Sequence, residues 1–279
     1  MPLKLYYSLL ILICLYVGIL LISGGFTIHV GKITFSSHRS SMPVLLIIIL
    51  TLIQFLTSVD FRSHISKFFG RLTDNNRYFL VFILSLLLIE IVFGALHIIF
   101  FGRIHAFDLD REFTIATYFS AFLFFANSLI VGAIYQFEQK DAKGHKGWWF
   151  VGFVFFYLSL DEVARLHESI IPFMKKNVSL LNFLYGSNKY WVVFMGPIIL
   201  ITIVYLCWFL FKRLKGYPWI FTGFIAALSL WIFVIALEFW EGYTTSAYKY
   251  KALVEEGSEM IGSTLFLASF LAFFKKIRD

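Results

Sequence analysis

Charge is what this sequence has least of: Asp, Glu, Lys and Arg make up 15% of it, against about a quarter of an ordinary soluble domain. With 59% hydrophobic residues in 279 positions, a soluble core of ordinary composition cannot take up the apolar surface, and lipid is the solvent that can. Cysteine is scarce as well. Cys14 and Cys207 both lie inside apolar runs, which excludes a disulfide framework or a cysteine metal knuckle. The sequence also lacks a phosphate loop, a nucleotide fingerprint, a nucleophile elbow and the H-E-x-x-H zinc signature. The Glu-x-x-His pairs of ferritin-like di-iron bundles are missing too. Function therefore has to be read from constellations of residues, since no motif spells it out.

What is present is a series of apolar runs long enough to cross a bilayer. The pattern predicts an all-α, polytopic integral membrane bundle, a single transmembrane domain of about eight spans over the whole chain. The spans fall at about 5–23, 43–59, 78–101, 113–136, 147–170, 190–211, 218–240 and 252–274, joined by short connections. Pro43 and Pro218 fall at helix starts, where a missing N–H leaves nothing unpaired, and Pro197 is expected to kink the sixth span. Lys4 followed by an apolar run resembles a signal peptide, but no small-residue cleavage site follows, so a retained first helix is expected.

Eight spans put both termini on one side, together with the loops after the second, fourth and sixth spans. That side carries fourteen of the 24 lysines and arginines and the other carries nine. The positive-inside rule then places both termini in the cytoplasm, of a bacterial inner membrane. The net charge of +7 reads as an orientation signal, and no nucleic-acid partner is expected.

The acids distribute the other way. Eleven of the seventeen fall at the outer face, from four segments: Asp108, Asp110 and Glu112; Asp161, Glu162 and Glu168; Glu238 and Glu241; Glu255, Glu256 and Glu259. Glu90 falls near mid-membrane. Capping of helix N-termini accounts for Asp108, Asp110, Glu112, Glu255 and Glu256. It does not account for the acids late in the fifth and seventh spans, where the dipole is unfavourable and an ionised carboxylate in hydrocarbon costs roughly 2.5–3.5 kcal/mol.

Helical spacing sorts these groups by face. Asp161, Arg165 and Glu168 align, as an ion-pair triad would, while His167 points away from them on an unbroken helix. Glu255, Glu256 and Glu259 share one arc, and Glu90, Gly94 and His97 share one stripe. Thr117, Ser120, Asn127 and Ser128 are uncharged groups of the kind that join helices. Intramembrane acids and histidines face a bundle interior, so a polar cavity open to the outside is expected.

Carboxylates with imidazole suit a divalent transition metal, zinc, manganese or iron. The expected ligands are His97, Asp161, His167, Glu238, Glu241, Glu255 and Glu259, with Glu162 and Glu256 as the catalytic acid–base pair. The leading expectation is a metal-dependent hydrolase acting on a lipid or lipid-linked substrate at the outer leaflet, with membrane lipids as its partners. A cation or proton-coupled transporter is the alternative, with Glu90 relaying the ion and Asn127, Ser128 and Thr202 lining the inner path. A noncatalytic assembly subunit, its acids and Arg165 fixing helix packing, is the third.

Three strings carry a resemblance: LDREFTIATYFS entering the fourth span, SLDEVARLHE in the fifth and ALVEEGSEMIG in the eighth. Together they resemble uncharacterised bacterial multi-pass membrane proteins over roughly residues 105–270, and the resemblance implies that the three strings belong together, with no activity attached. The general design, several spans with acids and histidines at one face, is similar to that of the alkaline ceramidase type of membrane hydrolase. The histidine-rich zinc signature of those enzymes is not reproduced, and no residue role is carried over from them.

Overall fold

A computed structural model describes residues 3–23, 26–30, 33–37, 41–109, 111, 113–138, 146–166, 190–240 and 248–279. Among these are nine α-helices and one two-stranded antiparallel hairpin, Phe26–Val30 with Ile33–Ser37. The helices are α1 (Leu3–Ser23), α2 (Ser41–Thr57), α3 (Val59–Asp74), α4 (Asn76–Phe100), α5 (Ile115–Glu138), α6 (Lys146–Ala164), α7 (Tyr190–Leu214), α8 (Pro218–Trp240) and α9 (Tyr248–Arg278). A helix thus occupies each of the eight expected apolar stretches. Six are long and apolar enough to cross a membrane, or up to seven if α2 and α3 are one bent span.

The bundle is built around α5 and α9. Of their most apolar stretches 67% and 61% is buried, against 11–17% for the corresponding parts of α1, α4, α7 and α8. These four helices therefore stand at the edge of the bundle with most of their apolar side chains facing out of it, as candidate membrane spans. Across the centre, α5 packs on α6 and α9, and α9 packs on α8 and α4. Of the four uncharged polar groups expected to join helices, Asn127 and Ser128 do so, joined by Ser159, while Thr117 bonds to Thr114 within its own segment. Asn127 Nδ2 donates to the Ser263 carbonyl at 3.0 Å, Ser128 Oγ to that of Gly152 at 2.9 Å and Ser159 Oγ to that of Ala121 at 2.8 Å. Glycine allows the closest approach of α8, because a Cβ on Gly262 would meet the Trp231 indole at 2.6 Å.

Three features depart from the sequence expectation. The stretch after the second span is no short loop but α3, at 105° to α2. Phe61, Phe69 and Thr73 are buried on its inner side, with Ile65 and Leu72 packed against the core. Ser58 caps it by accepting from the Phe61 N–H at 3.1 Å, and Arg62 donates to the Phe55 and Leu56 carbonyls at 3.1 and 2.6 Å, closing the end of α2. The connection before α2 contains the hairpin. Finally, α6 stops at Ala164, six residues short of the expected end near 170.

Candidate functional site at one end of the bundle

The end of α6 decides how its acids are presented. Arg165 takes a left-handed backbone conformation, φ 53°, which costs a non-glycine residue roughly 1–2 kcal/mol, while its N–H still donates to the Asp161 carbonyl at 2.6 Å. The helix therefore turns off at Arg165. Both the alignment of Asp161, Arg165 and Glu168 and the argument that His167 points away assumed an unbroken helix to residue 170, and that premise does not hold at Arg165. His167, Glu168 and Glu241 lie outside the described residues, and so does the side chain of Glu238, whose backbone belongs to α8.

At the start of α9 the capping expectation fails. The helix begins at Tyr248, so Glu255 and Glu256 stand two turns inside it. Glu255 is paired within the helix, its Oε2 3.0 Å from Lys251 Nζ. This cation relieves the repulsion expected of three carboxylates on one arc. Asp108 stands seven residues ahead of Ile115, where α5 begins. It is buried, 3% exposed, and its Oδ2 lies 3.2 Å from Arg111 Nε.

His97 is fully buried in the last turn of α4. Its Nδ1 accepts the Leu109 N–H at 3.0 Å. A ring nitrogen that accepts this bond has no proton for Asp108, so the 3.5 Å approach of Nδ1 to Asp108 Oδ1 is not an ion pair. In the neutral ring the proton then sits on Nε2, and any ligand role for His97 belongs to that nitrogen.

Two helical turns nearer the middle, Glu90 is 5% exposed. Thr264 Oγ1 donates to its Oε1 at 2.6 Å, and its Oε2 has no hydrogen-bond partner among the described residues. The Glu90–His97 stripe expected from spacing is thus real and faces the interior, toward α9 at one level and the α4–α5 connection at the next.

The helix register brings the remaining candidates to a common height. Phe155 of α6 and Trp231 of α8 both pack on Phe266 of α9, with ring centres 5.4 and 5.2 Å apart, and Glu90 meets Thr264. Two turns outward from these contacts, roughly 11 Å, stand Glu162, the Glu238 backbone and His97, and two turns back along α9 from Phe266 stands Glu259. Asp161 and Glu256 lie within a turn of the same layer. Inward, the bundle is closed by fully buried Trp148, Phe270, Phe274, Ile130 and Ile134. Among the described residues no three of His, Cys, Asp or Glu stand close enough to hold a metal ion.

The fold is that of a helical bundle with several candidate membrane spans and a polar layer toward one end. The chain belongs to the family described as Domain of unknown function (DUF8692), which it matches over residues 78–274. That stretch contains every acid of the polar layer and begins after α3. No curated protein and no solved structure matches the chain significantly.

Proposed function

We propose that the chain is a membrane enzyme that crosses the bilayer eight times with both termini in the cytoplasm, and that it works at the outer ends of its helices. Its substrate class is a lipid or lipid-linked molecule of the outer leaflet, its reaction a hydrolysis, and its setting a bacterial inner membrane. The observation that carries this reading is that the helix register puts His97, Glu162 and Glu259, with Asp161 and Glu256 within a turn, at a common height above a half of the bundle filled by aromatic packing. A divalent transition metal, zinc, manganese or iron, would supply Lewis-acid chemistry there. Its ligands would come from at most two of His97 (through Nε2), Asp161 and Glu259, since no three described residues come together, with the rest from His167, Glu238 and Glu241. Lys251 already occupies Glu255, which leaves Glu255 in a supporting position. Glu162 and Glu256 take up and return the protons of the attacking water.

The test is elemental analysis of purified protein reconstituted with each of the three metals. Near-stoichiometric metal, lost in Glu259→Ala, is the expected result. Protein that stays metal-free overturns the metalloenzyme. One observation would then favour the transporter: Glu90, buried below the layer with one oxygen unpartnered among the described residues, is where an intramembrane acid would take up a proton or cation.

A further inference from the structure

The opposite end of the molecule holds a second site, independent of the polar layer. A cleft of about 510 Å³ opens between α3, the end of α5 and the end of α9. Ser63, Ser66, Lys67 and Arg71 line it from α3, and Arg278 from α9. Gly70 makes room for that arginine: a Cβ there would collide with its guanidinium, which pairs with Asp74. Arg278 also lies 3.3 Å from Asp279, so three cations face two carboxylates, an excess of one positive charge, with two hydroxyls beside them. Lys67 and Arg71 are exposed, and between them on the same helix Phe68 is 56% exposed. A basic helix face with an exposed aromatic, set across the axis of an apolar helix, is the design of an element that lies in a membrane surface.

We propose that this cleft binds the phosphate headgroup of an anionic phospholipid in the cytoplasmic leaflet, with Lys67 and Arg71 on the phosphate oxygens, Ser63 and Ser66 donating hydrogen bonds, and Phe68 entering the acyl region. The inference rests on the membrane reading and the cytoplasmic assignment of this end, and not on the chemistry of the outer site. The cleft's charge selects the occupant. A zwitterionic lipid brings its own cation against Lys67 and Arg71, whereas an anionic headgroup meets only the excess positive charge. Phe68 selects a lipid over free phosphate, which has nothing to offer an aromatic ring.

The test uses the full chain in detergent, with the rise in melting temperature and native mass spectrometry as readouts. Phosphatidylglycerol is compared with phosphatidylcholine of the same acyl chains, and with inorganic phosphate. Phosphatidylglycerol is expected to bind preferentially, and the double variant Lys67→Gln, Arg71→Gln to weaken it by roughly tenfold or more. The exposed-charge control Arg77→Gln, outside the cleft, should leave the preference intact. Equal binding of the two lipids overturns the proposal. So does a loss of preference in Arg77→Gln as large as in the double variant, which would mean diffuse surface charge. Full displacement by inorganic phosphate would also overturn it, in favour of a free-anion site.

Discussion

At the cytoplasmic end as assigned, one carboxylate joins three helices. Glu138 of α5 receives the Trp148 indole N–H of α6 at 2.8 Å, and Arg213 of α7 stands 3.3 Å from the same oxygen. Trp148 is itself fully buried, stacked on Phe273 at 5.2 Å and edge-on to Phe209 at 5.2 Å. At the other end two ion pairs are local in span: Arg111 with Asp108 three residues away, Lys251 with Glu255 four residues away. The bonds that cross helices nearer the middle come from uncharged donors, Asn127, Ser128 and Ser159 to backbone carbonyls and Thr264 to the Glu90 carboxyl. At the first end a charged group ties three helices together, whereas nearer the middle hydroxyl and amide donors do so.

The contrast assumes that the two ends lie on opposite sides of a membrane, which cysteine labelling decides all or none. Asp110→Cys and Thr245→Cys should react with an impermeant reagent added outside intact cells, and Ala142→Cys should not. The reverse pattern would move both sites to the wrong face. If charge fastens the inner end, Trp148→Ala should be the most damaging single change there. The loss of its packing and of the Glu138 bond should cost about 3–5 kcal/mol in detergent unfolding. A cost under about 1 kcal/mol would show that the three-helix junction is not what holds this end. The smallest effect is expected at the outer end. Lys251→Ala removes an intrahelical pair worth about 0.2–0.5 kcal/mol, and an unfolding midpoint that barely moves is the expected outcome. A large loss would mean that Lys251 holds more than its own helix.

Much of the fold was legible because apolar runs of span length admit few readings in a chain this poor in charge. The starts and ends of most helices follow Pro, Asn and Gly signals. The end of α6 was not legible, since Leu-Asp-Glu-Val-Ala-Arg-Leu continues a helical pattern with no Gly or Pro, and a left-handed arginine has no signature in the sequence. The helix α3 could have been found. Phe61, Ile65 and Phe69 recur every four residues with Arg62 and Lys67 between them and Arg71 after them, but the charges read as a loop. At the candidate site the stripe of Glu90 and His97 followed from spacing alone. The Lys251–Glu255 pair was hidden because the start of α9 was placed a turn late, and Leu109 N–H on His97 because a backbone donor twelve residues away leaves no trace in side-chain patterning.

The corner between α2 and α3 is a bracket and not a hinge. A chain usually flexes where one helix ends and another begins, because the last carbonyls and the first N–H groups have no partners there. Here Arg62 holds two of those carbonyls and Ser58 one of those N–H groups. A tilt of α2 must therefore carry α3 with it as one rigid arm, and the wall of the basic cleft moves with that arm.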